Sequence, residues 1–165
     1  MDIRRLDPAD AADNARWDDF VFGCAQATFF HRAGWQKILR RVFRHDTHYL
    51  FAEIDGRIEG VLPLAHVNSL LFGKSLVSLP FAVYGGVAAN SEAAAEALEQ
   101  EAQRLAQCLG VAHLELRHVQ PRHANWPRQD LYVTFRKPIL DTEEANMLAI
   151  PRKQRAMVRK GIKNG

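Results

Sequence analysis

The stretch that most constrains the fold is residues 78–86, an apolar strand-like run that stops at Tyr84-Gly85-Gly86 just before a long helix pattern. Paired glycines let a backbone approach a ligand closely or adopt positive φ. The helix beginning near residue 90 points free N–H groups and its positive dipole end towards that turn. We expect either a ligand site or a tight strand-to-helix connection here.

Apolar periodicity predicts the order of the remaining elements. The predicted strands are residues 3–6, 48–53, 58–67, 75–81, 111–117 and 131–135, and the predicted helices are residues 15–22, 33–43, 90–109, 141–149 and 151–165. Residues 29–32 are expected to form a loop. A helix after three meandering strands, followed by a strand that inserts beside them, is an α+β layer arrangement. This order resembles that of the GNAT-type acyltransferase fold.

Local signals place turns and helix ends. Asp55-Gly56 favours a tight hairpin turn, a second turn is expected near Phe72-Gly73-Lys74, and Gly110 suits a helix C-terminus. Asp141 with Glu144 is typical of a capping box, and Pro151 suits the first residue of a helix.

In the long helix after the glycines, one apolar stripe is expected to face the core and the polar residues to face water. The stripe is Ala94, Leu98, Ala102, Leu105 and Leu109, and the predicted solvent face is Glu92, Glu96, Glu99, Gln103 and Arg104.

Composition favours one soluble globular domain. The 165 residues are 47% hydrophobic and 25% charged, and no run has the length of a membrane span. The amino terminus lacks the apolar core of a signal peptide, so a cytoplasmic protein is expected. Cys24 and Cys108 lie in apolar helical patterns and are predicted to be two buried thiols.

The positive charge is local. The net charge is +3, yet residues 151–165 hold six cations and no acid. In a helix these cations span an arc of about 160°, and Met157, Val158 and Ile162 lie opposite as a docking side. Diphosphate, a phosphorylated sugar or a nucleic-acid backbone would suit the basic face. The cations are Arg152, Lys153, Arg155, Arg159, Lys160 and Lys163.

Candidate acid–base residues lie on the strand at residues 111–117. Glu115 and Arg117 share its polar face with His113, either as positioning groups or as a mutual ion pair. His31 is a packed loop histidine, a proton carrier or a ligand contact. The histidines have no metal-ligand spacing, so no metal site is expected, and no Ser-His-Asp order, Walker loop or dinucleotide fingerprint indicates a nucleophile or nucleotide fold.

Several blocks together resemble the FemAB-like proteins associated with the exosortase and PEP-CTERM system, relatives of the Fem aminoacyltransferases. The blocks are FHRAGW (30–35), GVLPL (60–64), LFG (71–73), SLPF with YGG (78–86), HLELR (113–117) and PRKQRAMVRKG (151–161). The resemblance implies two GNAT-like domains in the whole protein. Residues 1–150 would be the first domain, and residues 151–165 the truncated start of a basic connecting helix, so this piece alone is expected to be inactive.

The resemblance also implies roles. The reaction would be attack of an acceptor amine on an activated acyl group, with aminoacyl-tRNA or acyl-coenzyme A as co-substrate and no tightly bound cofactor; tRNA would bind through the second domain. Tyr84-Gly85-Gly86 would form a wall of the acceptor cleft, and Glu115 would polarise the amine with Arg117 near. The phosphates of a nucleotide- or lipid-linked glycan or peptide acceptor would contact Arg152, Lys153, Arg155, Arg159 and Lys160.

One departure from the Fem pattern leaves the acceptor open. Fem enzymes tend to have an acid soon after the glycine turn, and residues 87–90 have none. This absence favours an acceptor other than a peptidoglycan intermediate, for instance an exopolysaccharide precursor or a lipid-linked sugar.

Two other functions stay open at this point. A coenzyme-A-dependent N-acetyltransferase would read the pyrophosphate with Arg or Gln before a Gly-x-Gly or Gly-x-Ala turn, and no Arg or Gln lies between Lys74 and Gln100. A non-catalytic nucleic-acid-binding module would use the last helix and bind with a steep salt dependence.

Overall fold

The computed structural model describes residues 1–69, 73–129 and 133–165. The chain divides into two compact units, Met1–Ala124 and Asn125–Gly165. The first unit contains β1 (Asp2–Arg5), α1 (Ala11–Gly23), a 3-10 turn (Phe29–His31), α2 (Gly34–Arg41), β2 (Asp46–Ile54), β3 (Arg57–Ser69), β4 (Gly73–Ser78), β5 (Ala88–Ala89), α3 (Glu92–Leu109) and β6 (His113–Glu115). The second unit contains α4 (Glu143–Leu148) and α5 (Arg152–Asn164). The domain limits predicted from the sequence stay a prediction.

The strands of the described residues form one mixed sheet. Its order is β1-β2-β3-β4-β6, and the two-residue β5 pairs with the start of β3. All pairs are antiparallel except β4 with β6, which run parallel from Ser75 beside His113 to Val77 beside Glu115. This mostly antiparallel sheet flanked by helices confirms the predicted α+β class.

Each face of the sheet carries its own apolar layer. Tyr49 and Phe51 of β2 pack with Trp17 of α1 on one side, while Leu50 of β2 and Leu98 of α3 belong to the layer on the other. Successive strand residues point to opposite faces, so the continuous apolar run in β2 serves both layers. A sheet buried on both sides explains why β2 and β3 show little polar alternation.

Positive φ values confirm the hairpin turn at Asp55-Gly56 and the helix end at Gly110 that the sequence predicted. Asp55 and Gly56 have φ values of 48° and 75°, the two left-handed positions that a tight hairpin turn requires. Gly110 has φ 60° and ends α3. The first helix begins earlier than predicted, because Asp10 caps it by accepting hydrogen bonds from the N–H groups of Ala12 and Asp13.

Two predicted boundaries near the glycine turn are wrong. The strand predicted at residues 75–81 ends at Ser78, because Leu79 and Phe81 have φ values of 49° and 68° and leave the extended conformation. Residues 29–32 are not an open loop: Phe29–His31 form a 3-10 turn.

The second unit also differs from the prediction at its helix starts. Thr142, not Asp141, caps α4 by accepting from the N–H of Ala145. Pro151 is the residue before α5 rather than its first residue. Residues 133–135 do not form the predicted strand, and residues 131 and 132 lie outside the described residues, as does Phe72 of the predicted second turn.

Two burial predictions are corrected. Cys24 is buried as predicted, but Cys108 is exposed because it lies on the side of α3 that faces away from the sheet. Met157, Val158 and Ile162, predicted to be the docking side of the last helix, are exposed. None of the helices in the described residues combines the length and the apolar character needed to cross a membrane.

Candidate functional site

The glycine turn is closed by the segment that follows β6. The N–H groups of Gly85 and Gly86 both donate to the carbonyl of Arg117, at 3.1 and 3.0 Å. The carbonyl of Gly86 in turn accepts from His31 at 2.8 Å. Both N–H groups that paired glycines could offer to a phosphate are therefore already used inside the protein.

Close packing explains why both positions are glycine. A Cβ at Gly85 would lie 2.5 Å from the Cβ of Leu79, and a Cβ at Gly86 would lie 2.2 Å from the His118 ring and 2.9 Å from the His118 Cα. Neither glycine has the positive φ that the sequence left open as a possibility. Glycine is therefore required at both positions because Leu79 and His118 approach the backbone closely.

Arg117 joins β6 to the turn through its side chain as well. Its Nε donates to Glu115 at 2.6 Å, the mutual ion pair that the strand pattern allowed. Its Nη1 donates to the carbonyl of Ala82 at 2.8 Å, and its backbone N–H donates to Ser78 Oγ at 2.8 Å. The structure thus brings Glu115, Arg117 and the glycine turn together, with the guanidinium engaged by protein groups.

His31 is the packed histidine that one interpretation of the sequence predicted. Its Nδ1 accepts from the N–H of Thr28 at 3.1 Å, so the proton is on Nε2, which donates to Gly86. Burial lowers the pKa of His31, and its two backbone hydrogen bonds oppose that effect. The imidazole of His31 is neutral and is hydrogen-bonded at both ring nitrogens. It therefore holds the glycine turn in place and is not exposed for proton transfer.

The sequence prediction missed a buried ion cluster on α3. Glu99, predicted to face water, is only 2% exposed. Its carboxylate accepts from Arg122 Nε at 2.8 Å and from His123 Nε2 at 2.8 Å, and His118 Nε2 lies 3.4 Å away. The signal was the position of Glu99 beside Leu98 and three residues before Ala102, at the border of the buried stripe.

His118 links this cluster to the glycine turn, since its ring contacts Gly86 and faces Glu99. Burial lowers the pKa of His118, partly opposed by the negative charge of Glu99 and reinforced by Arg122, His123 and His31. The turn, α3 and the segment after β6 therefore form one packed block.

A small pocket lies at the start of α3 and is lined by Asn90, Ser91 and Arg122, among others. Its volume is about 70 Å³, whereas pockets for drug-sized ligands hold about 300–1,000 Å³. Ser91 caps the helix by accepting from the N–H of Ala94, and Glu92 pairs with Arg122. In this conformation the pocket fits a few waters or a small ion and not a nucleotide.

The cations of α5 differ in their surroundings. Arg155 donates to the carbonyls of Leu148 and Ile150 at 3.1 and 3.0 Å and so closes the C-terminal end of α4. In the described residues no ion pair involves the other predicted phosphate contacts, which are exposed: Arg152, Lys153, Arg159 and Lys160.

The fold can be compared with solved structures. The ribosomal-protein-alanine N-acetyltransferase from Brucella melitensis biovar Abortus 2308 superposes with a TM-score of 0.52 and 16% identity, over 82% of this chain and 100% of that one. The chain has the GNAT acetyltransferase fold. The aminoglycoside antibiotic 6'-N-acetyltransferase AAC(6')-IG from Acinetobacter haemolyticus gives a TM-score of 0.51 and 14% identity, over 84% and 99%.

A structure described as a probable acetyltransferase gives a TM-score of 0.50 and 16% identity, over 86% of this chain and 100% of that one. No family model matches the sequence, and no curated protein matches it. At these identities the likeness is one of fold, and the predicted GNAT-like architecture is confirmed.

Proposed function

We propose that this chain is an acyltransferase domain of FemAB type that binds the acceptor of an acyl or aminoacyl transfer. The acceptor is an amine on a cell-envelope or exopolysaccharide precursor. The GNAT fold supports the reaction class, because the similar solved structures are named as N-acetyltransferases. Acyl transfer to an amine needs two positioned substrates and stabilisation of an oxyanion, without a covalent enzyme intermediate.

The observation that carries the acceptor role is the closure of the glycine turn. Gly85 and Gly86 donate both N–H groups to Arg117, so the turn offers no free pair of donors to a pyrophosphate. Its position beyond the carboxyl ends of the parallel pair β4 and β6 suits a cleft wall, because ligands of open sheets commonly bind outside the carboxyl ends of parallel strands. The turn is therefore proposed to shape the cleft.

Glu115 is the proposed group for receiving the amine. One of its carboxylate oxygens accepts from Arg117 and is fixed by that bond, and Glu115 is half-buried at the end of β6. A fixed carboxylate can orient an amine and stabilise the positive charge that develops on it during attack. Arg117 acts through Glu115 as a positioning residue.

The exposed cations of α5 are proposed to bind the phosphate groups of the acceptor, and this proposal is separate from the role of Glu115. A charge-assisted bond to phosphate uses the guanidinium or ammonium donors that Arg159 and Lys160 leave unpaired in the described chain. Arg155, which closes α4, is the weakest member of the predicted set.

The test is transfer by the complete protein with Glu115→Gln. We expect kcat to fall about 100-fold, the lower range for loss of a general acid or base, with little change in KM. Glu96→Gln, an exposed carboxylate on α3, is the matched control and should keep full activity. Equal activity of the two variants would remove Glu115 from the mechanism.

The second candidate function is coenzyme-A-dependent N-acetylation. This function is favoured because the superposition with this chain covers 100% and 99% of two proteins that are named as N-acetyltransferases. Micromolar binding of acetyl-coenzyme A by this chain, with acetylation of an amine, would favour it over the FemAB-type reaction.

A further inference from the structure

Large apolar side chains are exposed together at the end of α2 and just after β4. Ile38 is 41% exposed, Val42 67%, Phe43 39% and Phe81 60%. The rings of Phe43 and Phe81 stack with centroids 4.2 Å apart and planes 20° from parallel. Two separate segments therefore build one continuous apolar surface, and such surfaces commonly mark interaction sites.

The backbone holds both aromatic rings in place at a conformational cost. Arg44 and Phe81 have φ values of 56° and 68°, in the left-handed region that residues other than glycine rarely adopt. Arg44 lies in the turn that ends α2, where the N–H of His45 bonds back to the carbonyl of Leu39 at 3.1 Å. Strained positions of this kind concentrate where a protein binds something.

The apolar side chains are bordered by cations. At about 100° per residue, the side chains of Lys37 and Arg41 point about 40° apart around the axis of α2. The side chain of Ile38 points about 60° from that of Arg41, so the cations border the apolar side chains. Residues 20–45 contain no acid, and the nearest one in sequence is Asp46, at the start of β2. In the described chain no carboxylate pairs with Lys37, Arg40, Arg41 or Arg44.

We propose that this surface docks on an anionic lipid bilayer. We call it the α2 surface: Lys37, Ile38, Arg41, Val42, Phe43, Arg44 and Phe81. Aromatic and aliphatic side chains that enter the headgroup boundary, with Lys and Arg beside them, are the features of interfacial membrane binding. The cations attract the anionic leaflet, and the apolar side chains fix the depth.

A nucleic acid fits the same charges less well. Ile38 and Val42 offer no charge or hydrogen bond to a phosphate or a base edge, whereas they gain from leaving water at a bilayer. The inner faces of Phe43 and Phe81 are stacked on each other, which leaves no slot for a base between them. The docking proposal does not depend on the proposed acyl transfer.

The first experiment is flotation of the whole chain with vesicles of phosphatidylcholine, with or without phosphatidylglycerol. The apolar variant is Val42→Ser with Phe81→Ser, and the charge variant is Lys37→Gln with Arg41→Gln. The control is Phe22→Ser with Arg57→Gln, an exposed Phe on α1 and an exposed Arg on β3. The cations of α5 are common to all proteins, so differences between variants belong to the α2 surface.

We expect binding to the anionic vesicles, a loss of about tenfold or more in each α2-surface variant, and no loss in the control. Equal binding by all proteins would overturn the proposal. Binding of a single-stranded RNA oligonucleotide that is lost in the apolar variant, with unchanged vesicle binding, would also overturn it.

A second measurement covers the case in which the apolar variant fails to fold. Phe81→Trp and Phe22→Trp keep an aromatic ring at each position, and vesicles with brominated lipid quench a tryptophan that enters the bilayer. Stronger added quenching at position 81 than at position 22 supports the proposal, and equal quenching contradicts it.

Discussion

Replacing Gly86 by alanine places a methyl group inside the packed block that the glycine turn forms with His118. The new Cβ would lie 2.2 Å from His118 Cδ2 and 2.9 Å from His118 Cα, against ordinary contacts above 3.4 Å. A ring can rotate away, but the Cα belongs to the backbone, so the segment after β6 has to move.

The expected destabilisation follows from that movement. Overpacking alone costs about 1–3 kcal/mol. Displacing the turn also weakens its bonds to Arg117 and His31, each contributing about 1 kcal/mol. We expect the free energy of unfolding to fall by about 3 kcal/mol, which lowers Tm by about 6–12 °C in a chain of this size.

The assay is urea and thermal unfolding, followed by signals of the first unit such as the near-UV circular dichroism of buried Trp17. The matched control is Gly34→Ala at the first position of α2, where a Cβ would meet nothing within 4 Å, so its stability should be unchanged or slightly higher. Combining Gly86→Ala with His118→Ala should recover part of the loss. If Gly86→Ala is as stable as Gly34→Ala, the packing described for the turn is wrong.

Two further predictions concern buried charge. Glu99→Gln should lower the free energy of unfolding by about 2 kcal/mol, because Arg122 and His123 lose the buried carboxylate and Arg122 keeps only the exposed Glu92 as an anion. Glu101→Gln on the same helix should cost about 0.5 kcal/mol or less in urea unfolding. Burial, with Arg5 adding to it, lowers the pKa of His48 from 6.5 to about 4, so the unfolded chain binds more protons between those values and stability should fall as pH drops from about 6.5 to about 4. His48→Leu should make this loss of stability smaller. The measurement is the urea midpoint at about pH 7 and at about pH 5, and the assignment to His48 is wrong if the difference between the two midpoints is the same in the variant as in the wild type.

Much of the fold could be predicted because its signals are local. The two-residue hairpin at Asp55-Gly56, the cap at Gly110 and the apolar stripe of α3 each depend on neighbouring residues only. The short β5 could not be predicted, because two alanines carry no periodicity and pair with β3 through tertiary contacts alone.

The candidate site was predicted only in part for the same reason. The turn and the Glu115–Arg117 pair were visible as motifs, but the bonds from the glycines to the Arg117 carbonyl join residues more than 30 apart in sequence. Glu99 was assigned to water because a charge on a helix usually faces solvent, and only the return of residues 117–123 buries it. The left-handed Phe81 gives no signal, since such backbone is usually marked by glycine.

The N–H groups of Gly85 and Gly86 are bonded to Arg117, so the glycine turn is closed and is not a phosphate cradle. This closure can be tested by an NMR titration that follows the amide hydrogens of Gly85 and Gly86 during addition of acetyl-coenzyme A. We expect both amides to exchange slowly with solvent, because the Arg117 carbonyl accepts from them, and we expect their resonances to stay in place during the titration. Fast exchange in the free protein, or large shifts of both amides at micromolar acetyl-coenzyme A, would contradict it.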